Sequence, residues 1–284
     1  MGSQNRTSSR SVSVFVAVLV ALQLGQSVAL TEKEILVRLY NIAGGKRWAN
    51  KYGWEEAAAE RDGNSIGKVP KVCSWYGVRC VDEDSGDVIT GSETGVTEIN
   101  LSGNQLSGKI SKHLYDMPSL KLVDLKNNQI TDAGLDGISE GDDGAPLEKL
   151  ILSENQLTSL RGIENAPSTL EELHVNENDF TKFPHEVFKL HKLKTLMFTH
   201  NDGISEPLPS QFGEMKNLRK LLLWYNGFTG TIPTELGNLK KLEVSMCRFS
   251  WDVLCLRVFV AEFGFSFDST VFHMLNNSSP SFMQ

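Results

Sequence analysis

From Val96 onward the apolar residues fall into one register. The first unit is VTEINLSGNQLSGKI, and later units are LKLVDLKNNQI, LEKLILSENQL, LEELHVNENDF, LKTLMFTHNDGI and LRKLLLWYNGF. Each places apolar side chains at its first, fourth and sixth positions and Asn at its ninth. The Asn residues are Asn104, Asn128, Asn155, Asn178, Asn201 and Asn226, spaced 24, 27, 23, 23 and 25 residues apart. Two apolar positions separated by one polar position read as a short strand with one face inward. A strand recurring at this period predicts a solenoid whose strands stack in parallel. No single repeat can bury its own apolar face, so neighbours share one core. The Asn of each turn is expected to satisfy backbone groups inside the coil, making a ladder.

Ahead of the repeats the period changes. Thr31 and Glu34 stand at capping-box spacing. Ile35, Leu36, Leu39, Tyr40 and Ile42 then predict a helix with an apolar face, and Gly44 and Gly45 stop it. Trp48, Trp54 and Trp75 come next, the last inside CSWYGVRC, Cys73–Cys80. A repeat array exposes a raw apolar end unless something covers it. This helix and the cysteine-bounded box are expected to be that cover. Between box and repeats lies DEDSGDVITGSETG, which reads as a solvated acidic loop. It lacks the residue order of a calcium loop.

The repeat units carry the leucine-rich repeat signature. LVRLYNIAGGKRW, GW and CSWYGVRC followed by GVTEINLSGNQLSGKI resemble the plant-type leucine-rich repeat cap and first repeat. The resemblance runs from Leu36 to Leu242. It implies an α/β solenoid, a right-handed leucine-rich repeat horseshoe with a parallel concave β-sheet and a helical, disulfide-stapled N-terminal cap. The return segments LSGKI, GISEPLP and FTGTIPTELGNL resemble the plant-specific class. LTSLRGIENAPSTL and FTKFPHEVFKLHKL are shorter and lack its Gly, and ITDAGLDGISEGDDGAP is longer and acidic, so an irregular convex side is expected. The family's members include receptor-like kinases, receptor-like proteins and polygalacturonase-inhibiting proteins. The implied function is therefore extracellular binding of a protein or peptide in recognition or signalling. The alternatives are an inhibitor of a secreted glycan-degrading enzyme and the ectodomain fragment of a membrane receptor.

The N-terminus bears on the compartment. MGSQNRTSSR holds two Arg and no acid, an apolar run covers 12–24, and Ser27-Val28-Ala29 is a small-x-small site. This layout predicts a cleaved secretory signal peptide over 1–29, with an uncleaved membrane anchor as the alternative. The expected location is secreted or cell-surface. An oxidising path favours a bond between Cys73 and Cys80, a free pair or a metal site being the alternative. The expected domains are the leader 1–29, the cap 30–95, about six repeats over 96–242 and an irregular tail 243–284. In the tail the apolar and Asn positions fail together from Ser245. It reads either as unrelated sequence or as an atypical C-terminal cap with Cys247 bonded to Cys255. Membrane association would need the leader to be retained, or a missing C-terminal part.

The formal net charge of −7 argues against nucleic acid as a partner, since phosphate binding needs basic surface. Two G-x-S-x-G matches, Gly63–Gly67 and Gly137–Gly141, fall in the cap and in a repeat connection. Neither has the strand–turn–helix context of a nucleophile elbow. His174 and His200 sit three residues apart along neighbouring strands, about 10 Å at the strand rise, which disfavours a shared metal. His174 reads as a surface histidine. No enzyme activity, cofactor or metal site is expected. Asn100-Leu-Ser, Asn276-Asn-Ser and Asn277-Ser-Ser are N-glycosylation sequons, Asn100 being the one outside the tail.

The outward strand positions form three rows. One reads Gly103, Asn127, Glu154, Glu177, His200, Tyr225; the next Ser102, Lys126, Ser153, Asn176, Thr199, Trp224; the third Asn100, Asp124, Ile151, His174, Met197, Leu222. The ligand-binding residues are expected to be His174, Met197, His200, Leu222, Trp224 and Tyr225, with exposed Trp224 and Tyr225 as anchors. The competing reading is that the two aromatic residues only pack against a seventh repeat or the tail.

Overall fold

The computed structural model describes residues 29–64, 68–82, 85–138 and 144–246. The expected leader over 1–29, apart from its last residue, both G-x-S-x-G serines, Cys247, Cys255, Asn276 and Asn277 lie outside them. The described chain is a solenoid built on one nine-stranded sheet.

The cap opens with helix α1, Glu32–Ile42. Its capping box is formed as expected: Thr31 Oγ1 accepts from Glu34 N–H, and the Glu34 carboxylate accepts from Thr31 N–H at 2.9 Å. Ile35, Leu36, Leu39 and Tyr40 are buried. Ile42 departs from the expected face and is 51% exposed. It is the last helical residue, so it overhangs an open groove beside Arg38, Lys109 and Lys112 rather than reaching the core. Helix α2, Trp54–Arg61, packs beside α1. Between and beneath the helices the rings of Tyr40, Trp48, Trp54 and Trp75 follow one another at 5.3, 5.0 and 5.2 Å. Trp48 Nε1 donates to Ala43 O, Trp54 Nε1 to Tyr76 O and Trp75 Nε1 to Pro70 O. Large apolar bodies with every indole N–H satisfied make a core in a segment with few aliphatic residues.

Cys73 and Cys80 are bonded. Gly77 inside that loop has φ +74°, and a Cβ there would lie 2.1 Å from Asn100 O. Both the left-handed backbone and the close approach to the first repeat require glycine. Cys80 belongs to β1, Val78–Val81, which pairs antiparallel with β3, Val96–Asn100. The acidic segment is not wholly loop. Val88 and Ile89 form β2, antiparallel to β1, so the cap adds a hairpin to the sheet edge.

From β3 the strands run in parallel. They are β5, Leu122–Asp124; β7, Lys149–Ile151; β8, Glu172–His174; β9, Thr195–Met197; β10, Lys220–Leu222; and β11, Val244–Met246. The sheet thus runs one strand beyond the six repeats expected to end at 242, because Lys220–Leu222 still pairs with Val244–Met246. The returns contain 3₁₀ turns of three or five residues. A second, two-stranded sheet joins β4, Ser107–Lys109, to β6, Gln129–Asp132.

The six Asn residues are buried and stacked. Each completes the turn before it. Asn128 Nδ2 donates to Leu101 O at 2.9 Å, and its Oδ1 accepts from Asn104 N–H and Leu106 N–H. Asn155, Asn178, Asn201 and Asn226 likewise donate to Leu125, Leu152, Val175 and Phe198 carbonyls. Asn104 does the same for the cap, accepting from Asn50 N–H and donating to Asn50 O.

Candidate functional site

The concave sheet is the surface on which the expected residues can be located. The strand register places Asn100, Asp124, Ile151, His174, Met197 and Leu222 in one row, as expected. From Ile151 on, this row is apolar or imidazole and each member is half-buried. The row Gly103, Asn127, Glu154, Glu177, His200, Tyr225 is different from the expected strand position. It lies just past the strand ends, and its residues have φ between +53° and +62°. These side chains project from left-handed turns that aim the next residue, the ladder Asn, into the coil.

His174 is not a surface histidine: its side chain is only 13% exposed. Burial pushes its pKa below the ordinary value, and Lys149 and Lys220 add to that against Glu172. The ring is therefore neutral at neutral pH. Its buried Nε2 has no hydrogen bond, the Glu172 carboxylate being 3.5 Å away, too long for a good one.

His200, Trp224 and Tyr225 come together. His200 stacks on Tyr225 at 4.6 Å and meets Trp224 edge-on at 4.9 Å. Trp224 is half-buried rather than exposed, and its Nε1 has no hydrogen-bond partner. Tyr225 is 41% exposed. The six expected residues thus form two adjoining groups: the row His174, Met197, Leu222 on β8, β9 and β10, and the aromatic cluster at the ends of β9 and β10. The cap-proximal end of the face is polar, with Asp124, Lys126 and Glu154, the last two paired at 2.9 Å.

A further feature was not anticipated. The first strand position forms a fourth row, Glu98, Leu122, Lys149, Glu172, Thr195 and Lys220. With the residues just before each strand it carries ion pairs along one edge of the sheet: Arg79–Glu98, Lys121–Glu148, Lys149–Glu172, Lys194–Glu171 and Arg219–Glu243. Glu98, Lys121, Glu148, Lys149, Glu171 and Glu172 among them line a shallow depression of about 310 Å³. Lys149 and its hydrogen bond hold the Glu172 carboxyl below the usual value despite its partial burial. The signal was present in the sequence, as charges of opposite sign one repeat apart. Among the described residues no group of three or more His, Cys, Asp and Glu side chains is arranged to hold a metal, and no helix is long and apolar enough to cross a membrane.

Family models described as leucine-rich repeat match residues 95–117, 116–139 and 168–228. These segments of the chain are leucine-rich repeats. Among curated relatives, a homolog of a protein phosphatase 1 regulatory inhibitor subunit from Arabidopsis thaliana is 32% identical over 37% of this chain and 38% of its own length. Receptor like protein 22 of the same plant is 46% identical over 19% of this chain and 7% of its own. The chain spans less than half the length of these relatives. The Arabidopsis receptor kinase HAESA, solved with the peptide hormone IDA and the co-receptor SERK1, superposes with a TM-score of 0.52 at 24% identity, covering 75% of this chain and 34% of that one. That likeness establishes the fold: a leucine-rich repeat horseshoe with the sheet on its inner side.

Proposed function

We propose that the chain is a binding module whose concave face, from Ile151 to Tyr225, takes an extended peptide or a protein segment outside the cell. The observation that carries this is the change of character along the sheet. Polar residues at the cap end give way to a half-buried apolar row and an aromatic cluster with an exposed tyrosine, the residue types that anchor interfaces. An apolar groove on a rigid sheet suits a ligand with apolar side chains. The two unpartnered nitrogens beside it, on His174 and Trp224, have unmet hydrogen-bonding capacity there. The reading makes the chain a recognition element rather than an enzyme. It is supported by the fold shared with HAESA, whose solved complex contains a peptide hormone, and by the match to a receptor-like protein. The test is retention of a partner from extracellular fluid on the immobilised chain, compared with a Met197→Lys, Leu222→Lys double variant. Lysine already stands on this sheet surface at Lys149 and Lys220, so the variant should keep its fold. Loss of the partner supports the site; equal retention places binding elsewhere.

A further inference from the structure

Asn100 lies on the concave face at the end of β3, is exposed, and opens the sequon Asn100-Leu101-Ser102. Its carboxamide is held by one atom only. Oδ1 accepts from Ser102 Oγ at 2.8 Å and from Ser102 N–H at 3.1 Å. Among the described residues nothing bonds Nδ2, which is the atom N-glycosylation modifies.

We propose that Asn100 carries an N-linked oligosaccharide that covers the cap-proximal end of the concave sheet and confines ligand to the strands from β7 onward. In the modification Nδ2 displaces a lipid diphosphate from the anomeric carbon of an oligosaccharide donor. One N–H proton is lost, a C–N bond forms, and the C–O bond to diphosphate breaks. The glycan is a bulky, solubilising group. Its nearest neighbours in the row are Asp124 and then Ile151, about 5 and 10 Å away at the strand spacing. His174, Met197 and Leu222 stand farther, at about 14 Å and beyond. The sugar therefore sits over the polar strands, where a solvated group replaces water without hiding apolar surface, and leaves the apolar end open. This footprint rests on the concave face being the ligand surface, yet neither of its two tests uses a ligand, so its failure and the failure of that reading are separate.

The full chain is produced through a eukaryotic secretory pathway and mapped by peptide mass. Amidase removal of the glycan in heavy-oxygen water should convert Asn100 to a labelled Asp, and Ser102→Ala should abolish that label. An unmodified Asn100 overturns the proposal. Hydroxyl-radical footprinting of the same protein before and after deglycosylation tests the coverage. Labelling of Leu122 should rise when the glycan is removed, while labelling of Ile151, Met197 and Tyr225 stays constant. A uniform change across the face, or none, refutes the confinement.

Discussion

Two adjacent residues of the fourth repeat should respond to substitution with opposite signs. Asn178 is 7% exposed. Its Oδ1 accepts from Leu157 N–H at 2.9 Å, and its Nδ2 donates to Leu152 O at 3.0 Å and Val175 O at 3.3 Å. Alanine there leaves Leu157 N–H without a partner, while Leu152 O keeps Asn155 Nδ2 and Val175 O keeps Asn201 Nδ2. At about 1–3 kcal/mol for that orphaned N–H, with a smaller loss from the two weakened carbonyls, Asn178→Ala should cost roughly 2–3 kcal/mol. Glu177, one residue earlier, is exposed and holds φ +53°. A side chain in that conformation costs about 1–2 kcal/mol, partly offset by the entropy glycine gives up on folding. Glu177→Gly should therefore stabilise by about 0.5–1 kcal/mol, its N–H bond to Thr199 O being unchanged. Urea unfolding followed by far-ultraviolet circular dichroism measures both. A loss under about 1 kcal/mol for Asn178→Ala would show that the ladder is not satisfying those groups. A destabilising Glu177→Gly would show that the left-handed turn carries no strain.

Replacing Cys73 or Cys80 with Ser should lower stability by about 2–3 kcal/mol, read from denaturant midpoints with and without reductant; equal midpoints for reduced and oxidised protein would count against a stapling role. Glu32 tests pH dependence. Its buried carboxylate accepts from Val96 N–H, and burial raises its pKa above 4.5 despite the bonds from Val96 and Gly95. The folded state thus holds this proton more tightly than the unfolded one, so stability should fall as pH rises from 4.5 through the folded value. Glu32→Gln should flatten that slope in melting temperatures from about pH 4 to about pH 7, and an unchanged slope would assign it to other groups. Trp224→Ala and Tyr225→Ala should each weaken partner binding by about 2 kcal/mol with little change in melting. A fall in stability without loss of affinity would make the pair structural.

The ladder and the inner core were legible because their signal is periodic: the Asn residues recur at 23–27 residues and the apolar pair keeps its place in each unit. The cysteine box and the tryptophans were legible for a related reason, since a solenoid must be covered at its end. Other features depend on pairings that no local pattern announces. Val88–Ile89 is two residues long and becomes a strand only against Val81 and Cys80. His174 looks exposed within HVNEN, but Ile151 and Met197, which flank it, arrive from repeats 23 residues away on either side. The left-handed row carries Glu and Tyr, which do not favour that backbone, beside His, which visits it more readily. Only the demand that the following Asn point inward puts them there.

The ladder also has a direction. In turn after turn the amide that closes a coil belongs to the next coil, from Asn104 closing the cap to Asn226 closing the turn of Phe198. A chain emerging from the ribosome presents its cap first. Each newly made turn then stays open at its inner edge until one more repeat has been synthesised. The nascent protein therefore always ends in one unfinished coil, and the finished part behind it needs nothing further from the sequence to come.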